Sequence, residues 1–198
     1  MNTNGVLSFG RSYTSTSSDG SNFDFVSDSP PLIAPFWDDI DITKGGSIYY
    51  RLDNTSSTAD QVQLDIYNQF SDVDSFYPSL VFVATWDSVA AYSSSFEGLV
   101  NTFQIVMASD GRQTFVKFHY IDIQWGGSDT LIGVSAGNRV NFITHPASGL
   151  SSSVLSLNYT TTMYKIDSKF DCAGGGGWGL LSSLPMISKF TMYTCCCN

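Results

Sequence analysis

Residues 1–171 contain no cysteine; all four, Cys172, Cys195, Cys196 and Cys197, lie beyond them. A core built from the first 171 residues must therefore hold without disulfides. Basic residues are scarce too, nine Lys and Arg against 18 Asp and Glu, for a formal net charge of −9. A surface this acidic repels phosphate backbones and anionic lipid head groups, so nucleic-acid and charged-membrane binding are disfavoured. Histidine is limited to His119 and His145. They are far apart in sequence, without His, Cys or acidic partners at metal-ligand spacing, and structural roles are expected for both. No apolar run reaches the roughly 18–20 residues of a membrane helix. The opening Met1–Gly5 has neither the basic nor the apolar region of a signal peptide. On its own that predicts a cytosolic chain, or one whose true start lies upstream.

What is present suits one packed domain. The chain has 198 residues, 42% hydrophobic and 14% aromatic, ample for a single core. Most of it reads as short strands split by turn signals. Gly5–Phe9 is a predicted strand, residues 12–30 a polar loop, Leu32–Phe36 a compact apolar run and Ser47–Leu52 a strand after Gly45-Gly46. Leu80–Trp86 is almost continuously apolar and is expected to be a buried central strand. Two β-prone runs, Thr102–Ser109 and Arg112–Ile121, flank Asp110-Gly111, which predicts a type I′ hairpin. In the second run Val116, Phe118 and Tyr120 share a core-facing side, opposite Phe115, Lys117 and His119. Leu131–Ser135 and Arg139–Ile143 form a further predicted pair, with Val154–Leu157 and Thr162–Ile166 as the last strands. Residues 58–70 fit either period. Val62, Leu64 and Ile66 alternate, while Val62, Ile66 and Phe70 repeat at helical spacing behind Thr58-x-x-Gln61; the helix is preferred. The expected fold class is mainly β, an antiparallel sandwich-like domain with one or two short helices, with α+β as the alternative. Residues 171–198, Gly-rich and ending in three cysteines, are expected to be a disordered or artefactual tail.

Few constellations suggest chemistry. Gly133-Val134-Ser135-Ala136-Gly137 matches G-x-S-x-G, but a nucleophile elbow needs a strand, a strained turn and a helix. The residues after it read as another strand, so a serine hydrolase using Ser135, with His145 downstream, is the remote alternative to no catalytic site. Asp38, Asp39 and Asp41 form an acidic cluster that could offer oxygens to Ca²⁺, but EF-hand spacing is absent. The plainer reading pairs these acids with Lys44, Arg51 or backbone N–H groups, and no metal or other cofactor is expected. Trp37, Trp86 and Trp125 border polar turns; they could line a glycan or protein site, but core plugs are preferred. Asn54-Thr55-Ser56 and Asn158-Tyr159-Thr160 are N-glycosylation sequons, so Asn54 and Asn158 are candidate acceptors if the chain is secreted.

Several runs together resemble one family. Leu32-Ile33-Ala34-Pro35-Phe36-Trp37-Asp38-Asp39-Ile40-Asp41 and Gly46–Arg51 are similar to the front of the nidogen-like (NIDO) domain. Ala84–Val89 and Asn101–Val106 are similar to its middle. Asp110-Gly111, Phe118–Trp125 and Gly133–Phe142 are similar to its back half. The resemblance covers roughly residues 4–167 and places the domain at 1–170. It implies an extracellular or cell-surface structural module, with a role in cell–matrix adhesion and with matrix or cell-surface proteins as partners. Family members have strand-forming sequence before the run at Asn4–Gly10, so the resemblance also implies an N-terminally truncated domain within a larger mosaic protein.

Overall fold

The computed structural model describes residues 1–16, 23, 29–53, 55–138, 141–167 and 188–190. In chain order the elements are β1 (Leu7–Ser8), β2 (Leu32–Trp37), β3 (Ser47–Leu52), α1 (Ser56–Gln69), β4 (Leu80–Ala90), β5 (Val100–Ser109), β6 (Gln113–Ile123), β7 (Leu131–Ser135), β8 (Phe142–Thr144), α2 (Ser151–Leu155), β9 (Thr161–Asp167) and β10 (Ser188–Phe190). They form two sheets, in the orders β1-β2-β7-β8 and β10-β9-β6-β5-β4-β3. The fold is mainly β, as the turn-punctuated sequence predicts. The chain divides into two compact units: Met1–Tyr49, Ala84–Gln104 and Phe118–Thr161; and Tyr50–Val83, Ile105–Lys117 and Thr162–Asn198.

In the first unit β2 pairs antiparallel with β1 and β7. The β2–β7 register runs Ala34↔Gly133, then Trp37↔Leu131, so β2 carries one extra residue. This bulge falls at Pro35-Phe36. Proline has no N–H for a ladder, and a bulge is where a buried strand tolerates it. The extra residue also resets the side-chain alternation. Leu32, Ala34 and Trp37 share a cluster with Val6, Phe23 and Leu131. Phe36 instead meets Phe103 at 5.3 Å and Trp125 edge-on at 5.5 Å, and Phe103 stacks on Trp86 at 5.0 Å. The Tyr120 hydroxyl donates to Pro35 O at 2.8 Å.

In the second unit α1 covers one sheet face. Ile66 and Phe70 pack with Val81, Val83, Ala108, Phe115 and Met163, and Val62 packs against them. The helical repeat at 62, 66 and 70 is thus the face that is buried. The helix begins earlier than Thr58, with Thr55 as N-cap. Its start is tied by Asp53, whose carboxylate accepts from Thr55 N–H, the Thr55 hydroxyl at 2.7 Å and the Thr58 hydroxyl at 3.1 Å. Gln61 donates to Asp65 instead of closing a capping box. Lys117 reaches Asp65 at 2.6 Å from the sheet side.

Four expectations are corrected. Val154–Leu157 is not a strand: Val154 lies in α2 and Leu157 in the turn after it. Ser153 N–H and Val154 N–H both donate to Leu150 O. The two buried apolar residues stand three apart, which is helical spacing. The β5–β6 connection is not a type I′ turn centred on Asp110-Gly111, because only Gly111 of that pair has positive φ. Asp110 N–H donates to Gln113 O across Gly111-Arg112, and the Asp110 carboxylate accepts from Arg112 and Gln113 N–H. The first strand is only Leu7–Ser8, because Gly5 turns at φ +79 and a Cβ there would lie 1.8 Å from Phe36 O. The strand expected at Arg139–Ile143 is Phe142–Thr144; residues 139–140 lie outside the described residues. So do most of the tail and all four cysteines. Of residues 168–198 only β10 is described, parallel to β9 with Lys189 opposite Lys165.

Candidate functional site

The G-x-S-x-G run forms a hairpin. β7 pairs antiparallel with β8, Ser135 opposite Phe142 and Gly133 opposite Thr144. A strand, not a helix, follows the turn, so nothing lifts Ser135 above a sheet. Ser135 is 1% exposed, and its hydroxyl accepts from Gly137 N–H at 3.1 Å. His145 N–H donates to Ile132 O, three residues back along β7, or about 10 Å at strand rise. His145 Nδ1 accepts from Ala147 N–H, and burial lowers its pKa.

The acidic run does not converge on one point. Asp38 turns inward, accepting from Asp39 N–H at 2.8 Å and from the Thr130 hydroxyl. Burial raises its pKa, against the lowering effect of those two bonds. Asp41 accepts from Thr43 N–H and hydroxyl at 2.9 and 2.6 Å, which lower its pKa. Asp39 is raised, first by burial and then by Asp41. Lys44 donates to Tyr92 O and lies over the Tyr92 ring, and Arg51 pairs with Asp53. Of the expected partners, the backbone N–H groups of Asp39 and Thr43 bond Asp38 and Asp41, and Lys44 acts on Asp39 and Asp41 through its charge, whereas Arg51 pairs with Asp53; the Thr43 and Thr130 hydroxyls are partners beyond those expected. No group of three or more metal-ligating side chains is found among the described residues.

The three tryptophans are core. Trp37 and Trp86 are 0% exposed and Trp125 1%, so none lines a surface site. Trp86 Nε1 donates to Thr3 O and Trp125 Nε1 to Val89 O.

Three asparagines do work that the sequence reading missed. Asn101 is fully buried; its Oδ1 accepts from Gln124 N–H and Trp125 N–H, and its Nδ2 donates to Trp125 O at 2.9 Å. Asn4 accepts from Ile40 N–H and donates to Ser15 O. Asn158 accepts from Ile123 N–H and donates to Ile123 O and Leu155 O. A usable signal existed for one of them. Asn101 alternates with Phe103 and Ile105, so period two puts its amide on the core side. Asn54, the other sequon residue, lies outside the described residues.

What remains for recognition is surface. Tyr49, Tyr50 and Leu52 are exposed along β3, as are Tyr77, Tyr92 and Tyr159. A separate surface cavity of about 420 Å³ is lined by Lys44, Ala90, Phe96, Glu97 and Leu99 among others. Exposed tyrosines combine apolar area with a hydrogen-bonding tip, a combination enriched at protein interfaces. No helix among the described residues is long and apolar enough to cross a membrane.

Comparison with known proteins bears on the same question. The chain is 32% identical to mouse (Mus musculus) alpha-tectorin over 197 residues, covering 88% of this chain and 9% of that protein. It is 39% identical to mouse nidogen-1 over 94 residues, 44% of this chain and 8% of that one. It is 31% identical to nidogen of Drosophila melanogaster over 140 residues, 69% of this chain and 10% of that one. The chain thus spans about a tenth of the length of these relatives. No solved structure matches it. The nidogen-like domain family matches residues 1–168, and the chain belongs to that family.

Proposed function

We propose that this domain is a non-catalytic interaction module of an extracellular matrix or cell-surface protein, and that it contributes to cell–matrix adhesion. The observation that carries the reading is the family match over residues 1–168, with relatives in the matrix proteins tectorin and nidogen. The geometry supports it. Ser135 and His145 are apart and tied to backbone, and the acidic run is engaged within the fold. The partners are matrix or cell-surface proteins that meet exposed tyrosine-rich surface. In an extracellular chain Asn54 is the better glycan acceptor of the two sequons, because Asn158 Nδ2 already donates twice inside the fold.

The test is attachment of cells, and saturable binding of reconstituted matrix, to the immobilised full chain. Both should exceed the signal from the heat-unfolded chain, and equal signals would overturn the reading. A fluorophosphonate probe should leave Ser135 unlabelled; covalent labelling there would restore the hydrolase.

A further inference from the structure

Strand β3 is a sheet edge that its own sequence leaves unprotected. It ends the order β10-β9-β6-β5-β4-β3, so one side of its backbone meets no strand among the described residues. The direction of that side follows from one bond. Asp53 N–H donates to Val81 O at 2.8 Å, pointing toward β4. Residues of an antiparallel strand turn their N–H and C=O alternately to either side. Ile48, Tyr50 and Leu52 therefore present theirs outward. Native edges are blunted by proline, an inward charge, a bulge or a covering loop. β3 contains no proline, and its single charge, Arg51, is drawn back to Asp53 at 3.2 Å. Tyr49, Tyr50 and Leu52 are 59%, 70% and 65% exposed.

We propose that β3 pairs antiparallel with β3 of a second copy of this chain, about a twofold axis through Tyr50. The sequence of the strand selects both the partner and the register. A twofold axis perpendicular to a sheet keeps each residue on its own face, so it must pass through a residue position. An axis through Arg51 sets two guanidinium groups opposite each other and is excluded by charge. An axis through Tyr49 runs Leu52 against Gly46 and pairs only Ile48 with Tyr50 inside the strand. An axis through Tyr50 uses every outward residue: Ile48 faces Leu52 of the second copy and Tyr50 faces Tyr50. On the other sheet face Tyr49 meets Arg51, a cation–π pair, and Ser47 meets Asp53. No like charges meet. β3 carries one positive charge and no acid in a chain of net charge −9, and Asp53 at its end is held by Arg51, Thr55 and Thr58. The inference rests on the strand alone and is independent of the adhesion reading.

The experiment measures the mass of the full chain by light scattering and sedimentation, in reductant so that the tail cysteines cannot cross-link. Concentration spans on the order of one to several hundred micromolar. The wild-type mass should climb from 21.6 kDa toward twice that value. Tyr50→Lys sets like charges in the centre of the pair and should weaken dimerisation by about tenfold or more. Tyr50→Pro removes an outward N–H without touching the bonds to β4, so it should do the same with circular dichroism unchanged. If the proline variant unfolds, the lysine variant carries the test alone. Leu64→Ala on the exposed face of α1 should dimerise like wild type. In a chain whose four cysteines are serine, Tyr50→Cys should form an inter-chain disulfide under oxidation, because hydrogen-bonded pairs hold Cα atoms about 5.5 Å apart. Tyr49→Cys should not. A wild-type chain that stays at 21.6 kDa throughout, which would leave the edge to another protein or to the chain's own residues, overturns the proposal. So does a Tyr50→Lys chain that dimerises normally, or cross-linking at 49 in preference to 50.

Discussion

Strands β2 and β3 are each six residues long, yet β2 buries all six side chains and β3 buries none. Composition does not separate them well: Leu-Ile-Ala-Pro-Phe-Trp stands against Ser-Ile-Tyr-Tyr-Arg-Leu. Position does. β2 lies between two strands, and within its unit both its faces meet aromatic or aliphatic side chains. β3 ends its sheet. A residue's contribution to stability follows from how many neighbours close over it, and much less from how apolar it is.

The largest expected effect comes from β2. Phe36→Ala opens a void against Phe103 and Trp125 and should cost about 3–5 kcal/mol in urea or thermal unfolding. A loss below about 1 kcal/mol would mean that the buried strand is no more critical than the edge. Asn101→Ala sharpens the comparison by asking whether a buried polar side chain behaves like a buried apolar one. It leaves the buried Trp125 N–H and the part-buried Gln124 N–H without their acceptor, and about 3 kcal/mol should be lost. The edge gives the contrast. Tyr50→Ala, at concentrations where the chain is monomeric, should stay within about 0.5 kcal/mol of wild type. The smallest effect is at the end of β3. Hydrogen bonds from Thr55 hold the Asp53 pKa down to about 2, below the 3.8 of a free carboxyl. The folded state therefore favours the carboxylate, and this stabilisation is complete above 3.8 and lost as pH falls toward 2. The difference in Tm between wild type and Asp53→Asn should be visible near about pH 5 and gone by about pH 2. A difference that persists in acid would assign the effect to packing and not to charge.

The contrast also marks what the sequence made legible. Ser47–Leu52 is recognisable as a strand from its β-prone residues after two glycines. That it is an edge is not, because sheet order depends on pairings between distant segments. The bulge in β2 was hidden for a related reason. Pro35 signals an irregularity, but only the partner strand shows that one residue is extra. Helix α1 was legible because Val62, Ile66 and Phe70 keep helical spacing over about two turns. The single turn of α2 was not, since two apolar residues three apart are too few to fix a period. Of the candidate site residues, Ser135 was read as ending a strand that turns back into another strand, and it ends β7 opposite Phe142 of β8. The separate engagements of Asp38 and Asp41 depend on Thr130 and Thr43, and the first is a contact across 92 residues. No local pattern encodes that.

Asn4 has a chemical future as well as a structural present. An asparagine followed by glycine is the dipeptide most prone to lose its amide, because the next backbone nitrogen can close on the side-chain carbonyl carbon. Here Gly5 is held in the left-handed region against Phe36 O, and both ends of the Asn4 amide are bonded, to Ile40 N–H and Ser15 O. Ring closure requires those bonds to break first. Loss of ammonia from Asn4, giving isoaspartate and aspartate through the ring, would therefore be slow, and its rate would report how often the opening segment lets go of the rest of its unit.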